Sequence, residues 1–357
     1  MRWPWSRQGS GEHMVLSWSD RTLTYALAGA HANGSCNVIK HGVERIGTAS
    51  TDELFRRLNG LVPRGADVRV LLRPEQYQMV QVDAPAVAPE ELRAAARYQV
   101  REMLHSPLED VTLDVMRVGD GQQKGAGHLF VVAATNTVIR GILDLGKAMR
   151  WSISVIDIQE TSQRNLQNAF ALREGYVERA SAALVLLDQQ QAVLTISARG
   201  ELFYTRRFNF SEGFLAYLWS QDTAALTPIN DNVTGYSADV FGGDGEAVGG
   251  LLSPDFAHVV AADIEEDRAQ RFLVEVQRSL DLWDRAWSSI PLHDIRVYAG
   301  ERTETLSSWL SSQLGRTVIS MDIDSLFPGF DGWGSADKAM CLPLLGLLLL
   351  RNENRTL

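Results

Sequence analysis

Three turns place polar or small residues at the ends of predicted strands, where a divalent cation or a phosphate group could bind. Ser17-Trp18-Ser19-Asp20 separates two predicted strands, Asp188 ends the predicted strand Ala183–Asp188, and Ala299-Gly300-Glu301 follows the predicted strand Ile295–Tyr298. A carboxylate can hold Mg²⁺ or its waters, and glycine lets backbone N–H groups approach phosphate without a Cβ in the way. Asp188 taken alone is equally consistent with an acid that caps a turn.

Other catalytic chemistries have little support in the sequence. No two of the 7 histidines have the H-x-x-x-H spacing, and there is no G-x-S-x-G elbow, so neither zinc nor serine-hydrolase chemistry is predicted. The two cysteines, Cys36 and Cys341, lie far apart in sequence and are predicted to be buried thiols in a reducing cytoplasm. Phe241–Gly250 is glycine-rich but lacks the flanking strand and helix of a phosphate loop, so we expect a linker.

Net charge and hydropathy argue against nucleic acid as the main partner and against a membrane-spanning segment. The chain has 34 basic and 44 acidic residues and a net charge of -10, which argues against nucleic acid as the main partner. Cys341–Leu350, its most apolar run, is about half of the roughly 20 residues that span a bilayer, so it predicts a buried helix. Residues 1–13 lack an apolar signal region and predict a flexible leader, with contact of Trp3 and Trp5 with a membrane surface left open.

Apolar periodicity predicts the main elements. Met14–Ala28 alternates around a polar turn, and Ala192–Phe208 predicts a hairpin closed by Arg199-Gly200. Ile264–Trp287 is the strongest predicted helix, because apolar residues recur along it every three or four positions. We expect this stripe to face the core rather than a coiled-coil partner. It comprises Leu273, Val276, Leu280, Trp283 and Trp287.

A compact module is predicted between about residues 67 and 160. Its first helix starts at Pro89 and is stopped by Pro107, with an apolar face that includes Met103 and Leu104. Predicted strands and a second helix, Thr137–Met149, complete a β-α-β-β-α-β order.

Segments of this module carry a resemblance to a known family. PEELRAAARYQVREML (Pro89–Leu104), SPLEDVTLDV (Ser106–Val115) and VIDIQETSQRNL (Val155–Leu166) follow the order found in PilM-like pilus-assembly proteins. ARGELFYTRRF (Ala198–Phe208) and EVQRSLDLW (Glu275–Trp283) resemble second-lobe signatures of the same family. The sequence therefore resembles the PilM-like actin-fold family over nearly its whole length, and most closely its MSHA-type branch, the MshI proteins.

The resemblance implies an α/β protein with the actin-like ATPase fold, in which two ribonuclease-H-like lobes carry an inserted SHS2-like subdomain. It places the first lobe at residues 14–66 and 155–180, the insert at 67–154, the second lobe at 181–350 and a tail at 351–357. In that fold ATP lies between the lobes, held by two Asp-x-Gly hairpins and a Gly-Gly turn.

This chain departs from that nucleotide pattern at all three turns. At the first turn, Ser17 and Ser19 stand where the pattern has Asp and Gly, and Asp20 is displaced from the Asp position. At the second turn Asp188 is kept, but Gln190 stands at the Gly position. The third turn, Ala299-Gly300-Glu301, keeps only one of the two glycines. Arg278, in a second-lobe signature segment, is assigned to the same cleft. Each lost charged hydrogen bond costs about 1–3 kcal/mol and each tenfold in affinity is about 1.4 kcal/mol, so we expect a pseudo-ATPase without a cofactor.

The family implies a role as a non-catalytic assembly protein, peripheral on the cytoplasmic face of the inner membrane, in an MSHA-type (type IV-like) pilus. Its partner would be the cytoplasmic tail of a single-span, PilN-like protein, bound beside the insert; a homo-oligomer is left open. Candidate wall residues, which ordinary burial in the module core would equally explain, are Tyr98, Met103, Leu104, Pro107 and Leu108.

Two other functions are weighed. The first is an active actin-like ATPase that switches or polymerises with Mg-ATP. The second is an adaptor of the type II secretion kind, which shares the fold. In that adaptor a transmembrane helix normally continues the chain, whereas this sequence ends at Leu357, so the adaptor is not favoured.

Overall fold

Two five-stranded sheets with the same strand order form the body of the protein. The computed structural model describes residues 13–19, 22–29, 36–45, 56, 62, 67–119, 127–187, 190–211, 213–216 and 254–350. In chain order the strands are β1 (His13–Trp18), β2 (Thr22–Ala28), β3 (Val38–Arg45), β4 (Asp67–Leu71), β5 (Tyr77–Asp83), β6 (Val111–Arg117), β7 (His128–Thr135), β8 (Ser152–Asp157), β9 (Ala180–Leu187), β10 (Gln191–Ala198), β11 (Glu201–Asn209), β12 (Leu292–Tyr298) and β13 (Val318–Ser320). The helices are α1 (Leu92–Gln99), α2 (Asn136–Met149), α3 (Gln159–Glu174), α4 (Pro254–Ala286), α5 (Thr303–Leu314) and α6 (Ser335–Leu348).

The two large sheets repeat one topology. The first has the order β3-β2-β1-β4-β8 and the second β11-β10-β9-β12-β13. In each, three antiparallel strands are followed by two parallel ones. Parallel strands are covered on both faces and read as continuous apolar runs, which explains why Ala180–Leu187 has little alternation. The predicted strands of Met14–Ala28 and the hairpin across Arg199-Gly200 are confirmed.

Each half of the protein donates one helix to the other half. α3 follows β8 of the first sheet but packs on β9, β10 and β11, whereas α6 follows β13 of the second sheet but packs on β1, β2 and β3. The two helices touch where they cross. A Cβ on Gly346 would lie 1.8 Å from the carbonyl oxygen of Ser162, so only glycine allows this approach. Ser162 Oγ donates to the carbonyl oxygen of Pro343 at 2.6 Å.

The long helix α4 covers the second sheet. Its predicted apolar stripe is buried in the core of this half, so the prediction that the stripe faces the core is confirmed. Phe203, on β11, packs edge-on against Trp283 and Trp287 with ring centroids 5.8 and 4.7 Å apart.

The inserted module is smaller than the sequence suggested. Its own sheet has three antiparallel strands in the order β5-β7-β6, packed against α1. The predicted boundaries at 67 and 154 are wrong, because β4 (Asp67–Leu71) and β8 (Ser152–Asp157) pair with each other inside the first sheet. The insert therefore lies between Leu71 and Ser152.

The first helix of the insert is shorter than predicted. A 3₁₀ turn, Pro89–Glu91, leads into α1, which ends at Gln99 rather than at Leu104. The backbone beyond it is held by β5 instead: Gln78 Nε2 donates to the carbonyl oxygen of Met103 at 2.6 Å, and its Oε1 accepts from the backbone N–H of His105 at 3.0 Å.

Several predictions fall outside the described residues. These are the leader up to residue 12, Asp20, the glycine-rich tip at 120–126, Asp188, the linker Phe241–Gly250 and the tail 351–357. His13, assigned to the leader, is the first residue of β1.

Candidate functional site

The candidate site lies where the turn between β1 and β2, the N-terminus of α3 and the start of β10 come together. In sheets with parallel strands, ligands bind beyond the carboxyl ends of the strands. β4 and β8 end there, at Leu71 and Asp157, and the peptide N–H of Leu72 donates to the carbonyl oxygen of Asp157 at 2.8 Å.

The first turn is closed by its own serine and held by an arginine. The N–H of Ser19 donates to the carbonyl oxygen of Thr22 at 2.9 Å, and the N–H of Thr22 donates to Ser19 Oγ at 3.3 Å. Arg73 Nη2 donates to Thr22 Oγ1 at 2.7 Å, and Gln76 Nε2 donates to the carbonyl oxygen of Trp18 at 3.1 Å. The turn is therefore fixed by side chains of the segment that leads into the insert.

The second and third turns use left-handed backbone at the residues that the sequence singled out. Gln190 has φ 56°, a region that favours glycine, and its carbonyl oxygen accepts from the N–H of Phe210 at 2.9 Å. Gly300 has φ 58°, and the N–H of Ala299 donates to Thr303 Oγ1 at 2.9 Å. Glu301 is exposed at this turn. The third turn thus starts helix α5.

Arg278 belongs to helix α4 and to none of these turns. It projects from the exposed face of α4, where its Nη1 is 3.5 Å from Glu275 Oε1 and its side chain is 66% exposed. It does not line either of the two cavities described below.

Three side chains from three parts of the fold meet between the two halves. Glu160, the second residue of α3, is 2% exposed and accepts from Arg207 Nε of β11 at 2.7 Å. Its other oxygen accepts from the hydroxyl of Tyr77, on β5 of the insert, at 2.5 Å. Arg207 also donates to the Tyr77 hydroxyl and lies over the Tyr77 ring. We call Tyr77, Glu160 and Arg207 the interlobe cluster.

The interlobe cluster is compensated internally. Burial, and then the neighbouring Glu160 carboxylate, raise the pKa of Tyr77 well above its ordinary value, so the hydroxyl stays a donor. Burial acts to lower the pKa of Arg207, but Tyr77 and Glu160 more than offset it and the pKa is raised. The Glu160 carboxylate also sits at the positive end of α3. The arrangement suits a fixed bridge rather than a proton-transfer site.

Sequence reasoning missed these three residues. Glu160 and Arg207 lie within two of the segments that carry the family resemblance, but Tyr77 and Glu160 are 83 residues apart and Glu160 and Arg207 are 47 apart. The available signal was a glutamate and an arginine inside two segments that carry the family resemblance, where an unpaired buried charge would be costly.

Two cavities border the interlobe cluster and the first turn. The larger, of about 480 Å³, lies between the insert and β11 and is lined by members of the cluster together with Met79, Phe130 and Arg206. The smaller, of about 80 Å³, lies beneath the first turn between Ser17, Arg73 and helix α6. Among the described residues, no group of three histidine, cysteine or acidic side chains could hold a metal ion.

The predicted partner-binding residues divide into two kinds. Tyr98 is 78% and Met103 45% exposed, and Pro107 is also exposed, so burial in the module core does not account for them. Leu104 and Leu108 are half-buried against that core. The exposed side chains lie on α1 and the turn after it.

The two cysteines are free and buried, as predicted. Burial raises the pKa of Cys36 to about 11 and that of Cys341 to about 12, which makes both thiols unreactive at neutral pH. No helix of the described residues combines the length and apolar character needed to cross a membrane.

The repeated sheets, the exchanged helices and the inserted module define a protein with the actin-like ATPase fold. The comparison with solved structures agrees: the chain is similar to a structure described as the PilM-PilN type IV pilus biogenesis complex, with TM-score 0.58, 15% identity, and coverage of 94% of this chain and 97% of that one.

Weaker likenesses extend to other proteins. One is a Bacteroides thetaiotaomicron protein with an actin-like ATPase fold and unknown function (TM-score 0.48, 9% identity, coverage 96% and 98%). Another is the cytoplasmic domain of EpsL, an inner-membrane component of the Vibrio cholerae type II secretion system (TM-score 0.40, 16% identity, coverage 63% and 79%). No profile of a known protein family and no curated protein matches the sequence.

Proposed function

We propose that this protein is a non-catalytic assembly protein of the MSHA-type (type IV-like) pilus, similar to MshI, and that it works on the cytoplasmic face of the inner membrane. Its partner is the cytoplasmic tail of a single-span, PilN-like membrane protein. Its interlobe cleft is a degenerate nucleotide site.

The observation that carries the non-catalytic part of the proposal is the ion pair between Glu160 and Arg207. A buried, fully bonded pair of this kind holds the second sheet to the N-terminus of α3 without any ligand. A triphosphate bound in the adjoining cavity of about 480 Å³ would lie beside the Glu160 carboxylate, whose guanidinium is already paired, and like charges in a partly buried site repel. Gln190 and Ser19, where the family pattern has glycine, add to the cost.

The assembly role is supported by the likeness to the PilM-PilN structure, which extends over 94% of this chain. The exposed Tyr98 and Met103 supply apolar surface at the edge of the insert. An extended tail that lies along this surface would add main-chain hydrogen bonds and place alternate side chains against it. Leu104, Pro107 and Leu108 would form the base and rim of the same surface.

Titration with Mg-ATP tests the non-catalytic part. We expect no saturable binding at micromolar concentrations. A dissociation constant below about 10 μM would favour the alternative, an actin-like ATPase that switches or polymerises with Mg-ATP, and sedimentation with and without nucleotide would then decide between switching and polymerisation.

Peptide binding tests the assembly part. Synthetic peptides from the cytoplasmic tails of single-span inner-membrane proteins encoded beside this chain are titrated against wild type and against the double variant Met103→Asp/Leu108→Asp. The matched control is Leu143→Asp, because Leu143 is 43% exposed on α2 of the same module. We expect one tail to bind wild type and the control equally and the double variant at least tenfold more weakly. Equal binding to all three folded proteins would refute this surface.

A further inference from the structure

The smaller cavity contains a feature that the proposed function does not use: a partly buried arginine, Arg73, which has no hydrogen bond or ion pair to a carboxylate within the described part of the chain. The buried Arg69 and Arg296 and the largely buried Arg207 each pair with an aspartate or glutamate. Among the described residues, Arg73 donates only to neutral oxygens of Thr22 and Thr24, and its Nε is buried without a hydrogen-bond partner. The nearby Glu75 carboxylate favours the charged form of Arg73 through space but does not pair with it. A cation removed from water without a counter-ion in contact is costly to the fold.

The surroundings of Arg73 have one polar and one apolar side. On the polar side, the buried Ser17, Thr24 and Gln159 line the cavity. On the apolar side, Met340 and Pro343 of α6 line it. A ligand that fits both sides carries an oxyanion at one end and a short hydrocarbon at the other.

The size of the cavity excludes a nucleotide. Its volume is about 80 Å³, whereas sites for drug-sized ligands and cofactors measure roughly 300–1,000 Å³. A group of only a few heavy atoms fits. Inorganic phosphate is a poor match, because its second charge would be desolvated against the side chains of α6. A carboxylate has one charge and matches the planar fork of a guanidinium.

We propose that this cavity is a metal-independent binding site for a carboxylate that bears a short alkyl group, with Arg73 as its counter-ion. The hydrocarbon part packs against Met340 and Pro343. Because the cavity lies between the first turn and α6, an occupant bridges the first sheet and the helix donated by the second half. The carboxylate can come from a free short-chain acid or from the C-terminus of a peptide. Arg73 has a depressed pKa, chiefly through burial, which a bound anion would reverse.

The test is calorimetric titration of the full chain with sodium butyrate and with butyramide, its neutral counterpart, at constant ionic strength and with EDTA present. We expect saturable butyrate binding with a dissociation constant of about 1–5 mM and butyramide binding at least tenfold weaker. Equal binding of the two, a requirement for Mg²⁺, or tighter binding of inorganic phosphate than of butyrate would each overturn the proposal.

Two variants locate the site. Arg73→Gln removes the charge, and Ala339→Leu fills the cavity from α6 while Arg73 and the residues of the first turn stay unchanged. Both are expected to weaken butyrate binding at least tenfold. Ala339→Leu is needed because Arg73 also donates a hydrogen bond to Thr22, so Arg73→Gln can weaken binding by destabilising the first turn. The control is Arg93→Gln, in which an arginine 67% exposed on α1 is neutralised and binding is retained. Unchanged affinity in folded Ala339→Leu contradicts the site.

The source of the carboxylate is decided by a second pair of probes. A hexapeptide that ends in valine is compared with the same peptide carrying a C-terminal amide. Tighter binding of the free-acid peptide than of butyrate identifies a peptide terminus, and the reverse identifies a small acid; both outcomes support the site. The proposed function is tested separately, because the Mg-ATP and tail-peptide titrations use other ligands and other variants: loss of butyrate binding would leave their results unchanged.

Discussion

Arg69 and Arg296 occupy equivalent positions in the two halves of the protein. Each is the third residue of an Asp-x-Arg sequence on the fourth strand of its sheet, and each donates from Nε to that aspartate at 3.1 Å. Arg69 Nη1 donates to the carbonyl oxygens of Leu347 and Leu350 at 2.8 Å, and Arg296 donates to Glu174. Both arginines therefore bind the C-terminal end of the helix that the other half donates.

Removal of one partner from this arrangement should be strongly destabilising. In Arg296→Met the carboxylate of Asp294, 1% exposed, would be left buried without its guanidinium, at a cost of about 3–5 kcal/mol. Urea unfolding followed by circular dichroism measures the loss. The double variant Asp294→Leu/Arg296→Met should recover a large part of it, and a double variant as unstable as the single one would argue against an electrostatic origin.

The helix crossing should not tolerate a methyl group. Gly346→Ala places a Cβ against the backbone of Ser162, so α3 and α6 must move apart, and we expect a loss of about 1–3 kcal/mol or more. Gly141→Ala is the matched control: Gly141 is also helical, but nothing lies within 4 Å of an added Cβ. That change should stabilise the protein by up to about 1 kcal/mol. Thermal unfolding of both variants checks the difference in sign.

The interlobe cluster should behave as one unit. Arg207→Gln and Glu160→Gln are each expected to cost about 3–5 kcal/mol, and the double variant less than their sum, with a coupling energy of about 1–3 kcal/mol. The neighbouring pair of Arg206 and Glu275 is more exposed, so Arg206→Gln should cost about 1 kcal/mol or less. Additive losses in the cycle, measured by chemical unfolding, would show that the bridge is not cooperative.

Asp67 should make the protein sensitive to acid. Burial alone would raise its pKa, but hydrogen bonds from His13 and Ser154 and the Arg69 charge lower it from 3.8 to about 2. The stabilisation is therefore complete above pH 4 and is lost as the pH falls through 2, by about 2 kcal/mol. In Asp67→Asn, the free energy of unfolding should fall less between pH 4 and 2. Asp144→Asn, at an exposed aspartate, should follow wild type over the same range.

More of the fold than of the candidate site could be predicted from the sequence. Alternating residues predicted the strands around the first turn, and the stripe from Leu273 to Trp287 predicted the core helix, because these patterns are local. The prediction that β4 belongs to the insert was wrong, because β4 pairs with β8 in the first sheet. The apolar sequence of a buried strand does not indicate which sheet the strand joins. The exchange of α3 and α6 leaves no local mark, since the sequence of a helix does not say which sheet it covers.

The site depended on contacts between distant residues. The three turns could be located from their residue types, and Gln190 and Gly300 do have left-handed backbone. Arg207 and Glu160 could not be paired from sequence, because each lies in a regular element and nothing local indicates the partner. Arg73 gave no signal at all, since the lack of a paired carboxylate among the described residues becomes visible only when its surroundings are known.

The exchange of helices has a consequence for synthesis on the ribosome. The first sheet is complete when Asp157 has been made, but the helix that covers it, Ser335–Leu348, follows roughly 180 residues later. At about 5–20 residues per second, the nascent chain holds an uncovered apolar face for about 10–35 s. We therefore expect the nascent chain to need shielding of this face, for example by chaperones, until translation reaches the last helix.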